Sequence, residues 1–378
     1  MYSRLIQAPK NKSFFLFGPR GTGKTTWVRS AFPKALYLDL LSAEIFNDLL
    51  ANPQRLENYI PSGFNDFITI DEVQKIPELL NEIHRLIENY KFKFVLTGSS
   101  ARKLRKGGHN LLGGRALTYF MHPLTAVELG TDFNLDLSLK FGQLPSVFQE
   151  ENPQKYLESY IQTYLKEEIS QEGLTRNLSA FARFLETASF SQGSVLNTSN
   201  IAREAAIERK VVENYFNILE DLLVGYKIPV FTKKSKRRLV AHPKFYFFDT
   251  GVYRTLRPMG PLDMPEQTEG VALETLFFQN LLAVNDSLHL GYQLYYYRTL
   301  TGIEVDFIAY GNRGIRAFEV KKTGKNSQAL LKGLKYFQDQ YKEAKCFFLY
   351  QGKRKMREGN IEIIPIETAL KNLPQLLS

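Results

Sequence analysis

The chain has 378 residues, and 49 Lys and Arg against 39 Asp and Glu give it a formal net charge of +10. Hydrophobic residues make up 44% and charged residues 23%, a globular composition that excludes fibrous and disordered classes. At roughly 150 residues per domain, this length predicts two or three domains. No apolar run approaches the roughly 20 residues of a membrane-spanning helix, and the amino end lacks the apolar core of a secretory signal. The single cysteine excludes a disulfide framework. We therefore expect a cytoplasmic protein with no membrane partner.

The surplus of basic residues favours a polyanionic partner such as DNA, although a merely soluble basic surface has the same composition. It is concentrated in three short runs, at Arg102–Lys106, Lys233–Arg238 and Lys353–Arg357. Because solvated loops carry similar runs, both alternatives stay open.

The first 125 residues alternate short apolar runs with helical patterns, which is typical of a domain with a parallel α/β sheet. The predicted helices are Thr25–Phe32 and an amphipathic segment over residues 77–87, whose apolar residues recur every three or four positions. The predicted strands are Phe14–Phe17, Leu36–Asp39, Phe67–Ile70, Phe94–Thr97 and Leu117–Phe120. We expect residues 1–125 to form the first domain.

Two regions of different character follow. For residues 126–180 the sequence predicts a helical linker or lid, because apolar residues recur at helical spacing between Gln154 and Glu172. For residues 181–255 the sequence predicts helices followed by a hairpin with a basic tip, which is the element order of a winged helix. The alternative is a structural helix pair with a hairpin. The predicted elements are helices Phe181–Ser189, Ile201–Ala205 and Val211–Leu223 and strands Tyr226–Phe231 and Leu239–Phe248.

Residues 256–378 predict a second α/β domain, which opens with a helix and continues through several strands. The predicted elements are helix Val271–Leu282, strands Leu294–Arg298, Ile303–Ala309 and Ile315–Lys321, helix Ala329–Gln338 and strand Cys346–Tyr350.

Residues 18–25 read Gly-Pro-Arg-Gly-Thr-Gly-Lys-Thr and match the phosphate-binding motif G-x-x-x-x-G-K-[ST] in full. A predicted strand precedes the motif and a predicted helix follows it, as a P-loop requires. The glycines let backbone N–H groups face phosphate oxygens, and the helix amino terminus adds partial positive charge. We expect Lys24 to reach the β- and γ-phosphates of ATP, and Thr25 to bind Mg²⁺. The predicted nucleotide-binding residues are Gly18, Pro19, Arg20, Gly21, Thr22, Gly23, Lys24, Thr25 and Thr26.

Two acids follow the predicted strand Phe67–Ile70. Asp71 is placed to hold Mg²⁺ together with Thr25, and Glu72 is placed to polarise an attacking water. The pair follows the P-loop by about 50 residues, which leaves room for a strand and a helix between them. The presence of Glu72 favours hydrolysis over passive nucleotide binding.

Two further segments are candidate parts of this site. Thr97 and Ser99 end the next predicted strand, where a hydroxyl can sense the γ-phosphate or orient water; a strand-terminating turn is the alternative. Arg115 follows two glycines, and an arginine on such a loop can neutralise charge on the transferred phosphoryl group, from the same chain or from a neighbouring subunit. A surface arginine is the alternative.

Together the segments GPRGTGKT, FITIDEVQ, VLTGSS and LLGGRA resemble a family of bacterial and archaeal AAA-type P-loop ATPases with a C-terminal domain similar to PD-(D/E)xK nucleases. The segments NYFNILE and KFYFFDTG also resemble that family, and the resemblance covers nearly the whole chain, least distinctively in residues 126–180. It implies a multidomain α/β protein. The resemblance implies an additional-strand sheet, in which another strand separates the P-loop strand from the Asp71 strand, and a C-terminal restriction-endonuclease-like domain. Between them lies the helical and winged-helix region predicted above from the order of the elements.

Charged residues interrupt two apolar strands of the C-terminal region. Glu319 and Lys321 share one face of their strand, and glycines after Asp306 allow a hairpin that brings the acids together. Two close carboxylates bind a hard cation such as Mg²⁺ or Mn²⁺, Glu274 on the preceding helix offers a third oxygen, and a lysine stabilises phosphoryl charge. The resemblance maps these four residues onto a PD-(D/E)xK site, although Val305 stands where that motif has proline. Strands with charged outer faces are the alternative.

The sequence thus predicts a Mg²⁺-dependent ATPase, with a candidate second Mg²⁺ or Mn²⁺ at the C-terminal carboxylates. Three interpretations of its task differ in class. In the first, ATP turnover drives the binding or processing of DNA. In the second, the bound nucleotide controls a switch or scaffold that binds a protein partner or a second copy, and the nuclease-like domain is inactive. In the third, the P-loop belongs to a kinase.

Overall fold

The fold is taken from a computed structural model, which describes residues 2–102, 104, 112–165, 177–232, 242–260, 264–323 and 328–378. The chain divides into two compact units. The smaller unit comprises Arg4–His122 and Asp221–Leu223, and the larger unit comprises Met1–Ser3, Pro123–Glu220 and Val224–Ser378. The predicted segments that lie wholly or partly outside the described residues are Arg102–Lys106, Gln154–Glu172, Lys233–Arg238 and Leu239–Phe248.

The smaller unit contains a five-stranded parallel sheet with the strand order β2-β3-β4-β1-β5. Strand β4 lies between β1 and β3, which is the additional-strand order that the resemblance implied. All five strands predicted for this region are present, four of them slightly longer than predicted. The strands are β1 Ser13–Phe17, β2 Leu36–Asp39, β3 Phe67–Asp71, β4 Lys93–Gly98 and β5 Ala116–Phe120.

Strand β1 is buried on both faces, which explains its unbroken apolar sequence after Ser13. Because side chains alternate along a strand, Phe15 and Phe17 pack on one face with apolar residues of helix α3 (Leu79–Tyr90), whereas Phe14 packs on the other with Val28 of helix α1 (Lys24–Ala31). Because β1, β3 and β4 pair in parallel, their carboxyl ends lie at one edge of the sheet. The helices of the smaller unit are α1 Lys24–Ala31, α2 Ala43–Ala51 and α3 Leu79–Tyr90.

The larger unit combines helices with two sheets. Among the helices of the described residues, none has the length and apolar character needed to cross a membrane. A π-helical segment, Tyr160–Leu165, continues α6. The α-helices are α4 Ala126–Leu129, α5 Leu135–Phe141, α6 Pro153–Ser159, α7 Leu178–Ser189, α8 Thr198–Glu204, α9 Arg209–Asp221, α10 Thr250–Leu256, α11 Pro265–Ser287, α12 Lys332–Gln340, α13 Ile366–Lys371 and α14 Leu373–Leu377.

Helices α7, α8 and α9 precede an antiparallel pair of strands, β6 Gly225–Ile228 and β7 Lys244–Phe247. Asn197 caps α8, since its side-chain oxygen accepts a hydrogen bond of 3.1 Å from the N–H three residues later. Helices followed by a hairpin agree with the element order predicted from the sequence. The basic tip Lys233–Arg238 lies outside the described residues, and the winged-helix assignment stays a prediction.

A six-stranded mixed sheet, with the order β12-β13-β11-β10-β9-β8, occupies the C-terminal region. Strands β9 and β10 form the predicted hairpin, and Gly314 at its turn has a left-handed φ of 102° that favours glycine. Phe318 of β10 contacts Phe277 of α11 with ring centroids 5.1 Å apart, whereas Ala317 packs on the opposite face with Phe337 of α12. The strands are β8 Gln293–Arg298, β9 Glu304–Gly311, β10 Gly314–Lys321, β11 Lys345–Tyr350, β12 Met356–Glu358 and β13 Ile361–Pro365. The α/β class is as predicted, and the restriction-endonuclease-like assignment stays a prediction.

Candidate functional site

The loop over residues 18–23 joins the carboxyl end of β1 to the amino end of α1 and has the geometry of a phosphate cradle. Gly21 and Gly23 have φ values of 80° and 88°, a left-handed conformation that glycine adopts without steric cost. Gly18 lies so close to the carbonyl oxygen of Met121 that a Cβ atom there would overlap it. The glycines of the motif therefore occupy positions where a side chain would distort the loop.

Side chains stabilise this loop from within. Thr22 Oγ1 donates to the carbonyl of Pro19 at 2.7 Å. The Lys24 ammonium donates to the carbonyls of Gly18 and Pro19 at 2.7 and 3.2 Å, and its side chain is largely buried. Arg4, which sequence reasoning missed, donates to the carbonyl of Thr22 at 3.0 Å. An arginine outside the motif thus helps to hold the loop in place.

Thr25 in the first turn of α1 contacts the carboxylate of Asp71 at the end of β3. The Thr25 hydroxyl donates to Oδ2 of Asp71 at 2.9 Å, and Asp71 is only 5% exposed. The structure therefore brings together Thr25 and Asp71, the two residues that the sequence predicts as Mg²⁺ ligands. Thr26 and Arg20, two further members of the predicted nucleotide-binding set, are exposed.

Two more hydroxyl groups contact Asp71. Tyr37 of β2 donates to Oδ2, and Thr97 of β4 donates to Oδ1. Burial, together with the Asp71 hydrogen bond, raises the pKa of Tyr37, so its hydroxyl stays protonated at neutral pH. The Arg29 guanidinium lies 4.2 Å from the centroid of the Tyr37 ring and restricts that ring. Sequence reasoning missed Tyr37, because its contact with Asp71 depends on the pairing of β2 with β3 in the folded sheet.

Glu72 follows Asp71 directly and has a φ of 61°, which is uncommon for a residue other than glycine. Its carboxylate accepts a hydrogen bond from the side-chain amide of Gln74, which also donates to Ser99 Oγ at 3.2 Å. The predicted water-activating acid and the predicted sensor Ser99 are therefore connected through Gln74. Strained backbone of this kind is concentrated at functional sites.

The oxygen atoms at this edge of the sheet suit a Mg²⁺–nucleotide complex. In such complexes Mg²⁺ binds one or two protein oxygens and completes its octahedron with phosphate oxygens and water. Thr25 Oγ1 and Asp71 Oδ2 are neighbouring oxygens at the amino end of α1, where backbone N–H groups favour phosphate. The residues present therefore fit the predicted cofactor.

Arg115 lies near the amino ends of the strands, opposite the carboxyl ends that carry the phosphate loop. It precedes β5, whose first residue, Ala116, pairs with Ser13 at the amino end of β1, whereas the phosphate loop follows the carboxyl end. A five-residue strand separates these edges by roughly 15 Å. The Arg115 guanidinium forms an ion pair with Glu88 of α3, in which the two side chains are 38% and 45% exposed. The structure does not bring Arg115 to the phosphate loop of the same chain.

In the larger unit, the hairpin of β9 and β10 places Asp306 beside Glu319. The Lys321 ammonium lies 3.1 Å from Asp306 Oδ2 and 2.8 Å from Glu319 Oε1. The backbone N–H of Val320 donates to the same Asp306 oxygen at 2.8 Å. Both acids are buried. The two predicted metal-binding acids thus share a lysine.

A second lysine, which sequence reasoning missed, belongs to the same region. Lys244 of β7 is 3% exposed, and its ammonium pairs with Glu304 of β9. Glu274 of α11 accepts a hydrogen bond of 3.3 Å from Tyr246 of β7. We refer to the acids and lysines of this region as the carboxylate–lysine cluster; its members are Lys244, Glu274, Glu304, Asp306, Glu319 and Lys321.

The acids and lysines of this cluster shift one another's pKa values. Burial, reinforced by the Asp306 charge, raises the pKa of Glu274 and of Glu319. Burial acts to lower the pKa of Lys244 and Lys321, but the surrounding acids outweigh it and raise both values. Within the part of the chain that the structure describes, no three His, Cys, Asp or Glu residues are arranged to hold a metal. The second Mg²⁺ or Mn²⁺ site stays a prediction, since the Lys321 ammonium pairs with one oxygen of Asp306 and one of Glu319, whereas Glu319 Oε2 is buried without a hydrogen-bond partner among the described residues.

We expect Lys321→Met to lower the stability of the larger unit by about 3 kcal/mol, because it leaves two buried acids without their shared counterion. The matched control is Lys322→Met, since Lys322 makes an ion pair with Glu269 in which both side chains are about one-third exposed. Such pairs contribute about 0–1 kcal/mol. Urea unfolding followed by circular dichroism measures both variants. Equal, small losses in the two variants would contradict a central role for Lys321.

Relatives of this chain extend over most of its length. An uncharacterized protein of Mycobacterium tuberculosis is 27% identical over 324 residues, which is 82% of this chain and 70% of that protein. An uncharacterized protein of Haemophilus influenzae is 23% identical over 333 residues, which is 82% of this chain and 79% of that protein.

Two solved structures show weaker likeness. The ORC1 protein of Aeropyrum pernix in complex with DNA has a TM-score of 0.29 and 16% identity, covering 66% of this chain and 87% of that chain. Protein VC1899 of Vibrio cholerae has a TM-score of 0.24 and 12% identity, covering 97% of each chain. These TM-scores are too low for either likeness to support a conclusion.

Family models divide the chain into three matched segments. Residues 134–263 and residues 269–369 each match a model described as a domain of unknown function. Residues 10–130 match the model described as an AAA domain. The same residues contain the five-stranded parallel sheet and the phosphate-binding loop. The family match and the local geometry together support an AAA-type ATPase domain in the smaller unit.

Proposed function

We propose that the smaller unit binds ATP with Mg²⁺ at residues 18–26 and hydrolyses its terminal phosphate. The observation that carries this proposal is the 2.9 Å hydrogen bond between Thr25 and Asp71. It sets side by side the hydroxyl and the carboxylate that P-loop enzymes use for Mg²⁺. The AAA-domain match over residues 10–130 supports the same conclusion.

Each group of the loop has a role in binding. The N–H groups of the loop and of the amino end of α1 bind the phosphates. On nucleotide binding, the Lys24 ammonium exchanges its two loop carbonyls for β- and γ-phosphate oxygens. Thr25 and Asp71 hold Mg²⁺, which when bound neutralises phosphate charge. Thr97 keeps the Asp71 carboxylate oriented through its other oxygen.

Glu72 is the proposed general base. Its carboxylate accepts a proton from the water that attacks the γ-phosphorus, the bond to the β–γ bridging oxygen breaks, and ADP and inorganic phosphate are released. The proximity of Glu72 to Asp71 favours water as the acceptor. The kinase alternative requires a second substrate and predicts no phosphate release without one.

We propose that Arg115 contributes to the site of a neighbouring subunit. Its exposed ion pair with Glu88 contributes about 0–1 kcal/mol, so the guanidinium can leave it at little cost. An arginine supplied by a second chain can stabilise the charge that develops during phosphoryl transfer.

For the larger unit we propose a binding role without DNA cleavage. The Lys321 ammonium pairs with Asp306 and Glu319, two of the acids that a metal-dependent nuclease would use for its cation. The net charge of +10 favours DNA as the partner, and a protein partner or a second copy is the alternative.

We expect Glu72→Gln to lower the rate of ATP hydrolysis by about 10²- to 10⁴-fold, because an amide cannot accept the proton of the attacking water. Affinity for ATP is expected to stay within about twofold of wild type, since the loop and its Mg²⁺ oxygens are untouched. Released phosphate and the fluorescence of a labelled ATP measure the two quantities separately.

Lys24→Ala is the companion variant, and it is expected to lose ATP binding as well as turnover. Full turnover by Glu72→Gln would remove Glu72 as the base. Turnover and binding by Lys24→Ala at wild-type levels would refute the nucleotide site itself.

Incubation with supercoiled plasmid tests the larger unit. We expect no nicking by the wild-type chain in Mg²⁺ or Mn²⁺, because Lys321 is paired with Asp306 and Glu319. Nicking that disappears in Asp306→Asn would show a nuclease. In the same reaction, ATP hydrolysis that rises with DNA identifies DNA as the partner, and hydrolysis that ignores DNA favours a protein partner.

A further inference from the structure

Gln74 occupies a place between the two strand ends that carry the nucleotide site. It lies in a short 3-10 helix, Val73–Lys75, directly after the acids of β3, and it is only 5% exposed. Its side-chain nitrogen donates to a carboxylate oxygen of Glu72 and to Ser99 Oγ. A single amide group therefore contacts residues that follow β3 and β4.

The chemistry of the partners fixes the orientation of this amide. An ionised Glu72 carboxylate only accepts hydrogen bonds, so the NH₂ group of Gln74 must face it. The amide oxygen then faces Gly98, where a Cβ atom would overlap it. This oxygen is buried and has no hydrogen-bond partner among the described residues. A buried acceptor without a partner destabilises the fold, and its retention calls for a functional explanation.

The same amide acts on Ser99. Because Ser99 Oγ accepts a hydrogen from Gln74, its own hydroxyl hydrogen is left to donate to a phosphate oxygen or to water. Thr97, two residues earlier, donates to Asp71. The end of β4 is therefore connected to both acids: to Asp71 directly, and to Glu72 through Gln74.

We propose that Gln74 is a positioning residue for ATP hydrolysis, which holds the Glu72 carboxylate toward the attacking water and links it to Ser99. This inference rests on the proposed role of Glu72 as general base. Gln74 has no contact with the phosphates in this role; it acts through Glu72 and Ser99.

The test compares the full-length chain with Gln74→Leu, which keeps the size of the side chain and removes its donor. We expect kcat to fall by about 10- to 100-fold, which is the loss caused by displacing a catalytic group by about 1 Å. KM and the affinity for labelled ATP are expected to stay within about twofold of wild type. The matched control is Gln54→Leu, an exposed glutamine of the same unit, which is expected to keep wild-type kcat.

A double-mutant cycle separates positioning from general damage. In the Glu72→Gln background, Gln74→Leu is expected to cause no further loss of kcat, because the two residues act as one unit. If Gln74→Leu fails to bind labelled ATP, Gln74→Asn replaces it; this shorter amide keeps a polar group but cannot reach both partners, and the same fall in kcat is expected.

Wild-type kcat in the folded Gln74 variant, or a full additional loss in the Glu72→Gln background, would overturn the inference. These results leave the proposed function intact as long as Glu72→Gln alone abolishes turnover. If Glu72→Gln alone keeps full turnover, the proposed function fails first.

Discussion

The nucleotide site depends on the carboxylate of Asp71. Three hydroxyl groups from three different elements donate to its two oxygens: Thr25 from α1, Tyr37 from β2 and Thr97 from β4. The sheet order makes this convergence possible, because β3 lies between β2 and β4 and its end can reach both neighbours. Hydrogen bonds to an ionised carboxylate are stronger than those between neutral groups, so Asp71 fixes the relative positions of the strand ends. Loss of one donor to an incoming Mg²⁺ leaves the carboxylate oriented by the others.

Asp71 and the acids of the carboxylate–lysine cluster differ in the groups that contact them. Asp71 is contacted by neutral hydroxyl groups, so a cation that approaches it meets no competing ammonium among those contacts. Asp306 and Glu319 share the ammonium of Lys321, so a divalent cation that approaches them meets a competing positive charge. Removing one partner of a buried ion pair is costly, whereas keeping the pair is close to neutral. Asp71 is thus contacted by hydroxyl groups, whereas Asp306 and Glu319 are paired with a lysine.

Much of the smaller unit could be predicted from the sequence, because the relevant signals are local. Strand β1 reads as an apolar run bounded by a glycine-rich motif, and the acids after β3 follow from that motif. Tyr37 and Gln74 could not be placed in this way, since their contacts depend on which strands are neighbours. Arg115 shows a signal that was available: it precedes its strand, whereas the side chains that form sites in parallel sheets follow theirs.

In the larger unit, the hairpin of β9 and β10 could be predicted from alternating apolar residues and turn glycines. The role of Lys244 could not, because about 60 residues separate it from Glu304 along the chain and the two residues lie on strands of different sheets. Short helices such as α10 and α13 were also not predicted, since fewer than two or three turns give too little periodicity. Long-range charge pairing thus decides the character of the C-terminal acids, and it has no local signature.

The role of Asp71 is tested by calorimetry of ATP binding to the full chain, with Mg²⁺ and again with a chelator, for wild type and for Asp71→Asn. We predict that Mg²⁺ tightens ATP binding by the wild-type protein about tenfold or more, and that Asp71→Asn loses this gain while keeping the binding seen without metal. Equal affinity with and without Mg²⁺ in the wild-type protein, or an Asp71→Asn variant that retains the full Mg²⁺ effect, would contradict this role.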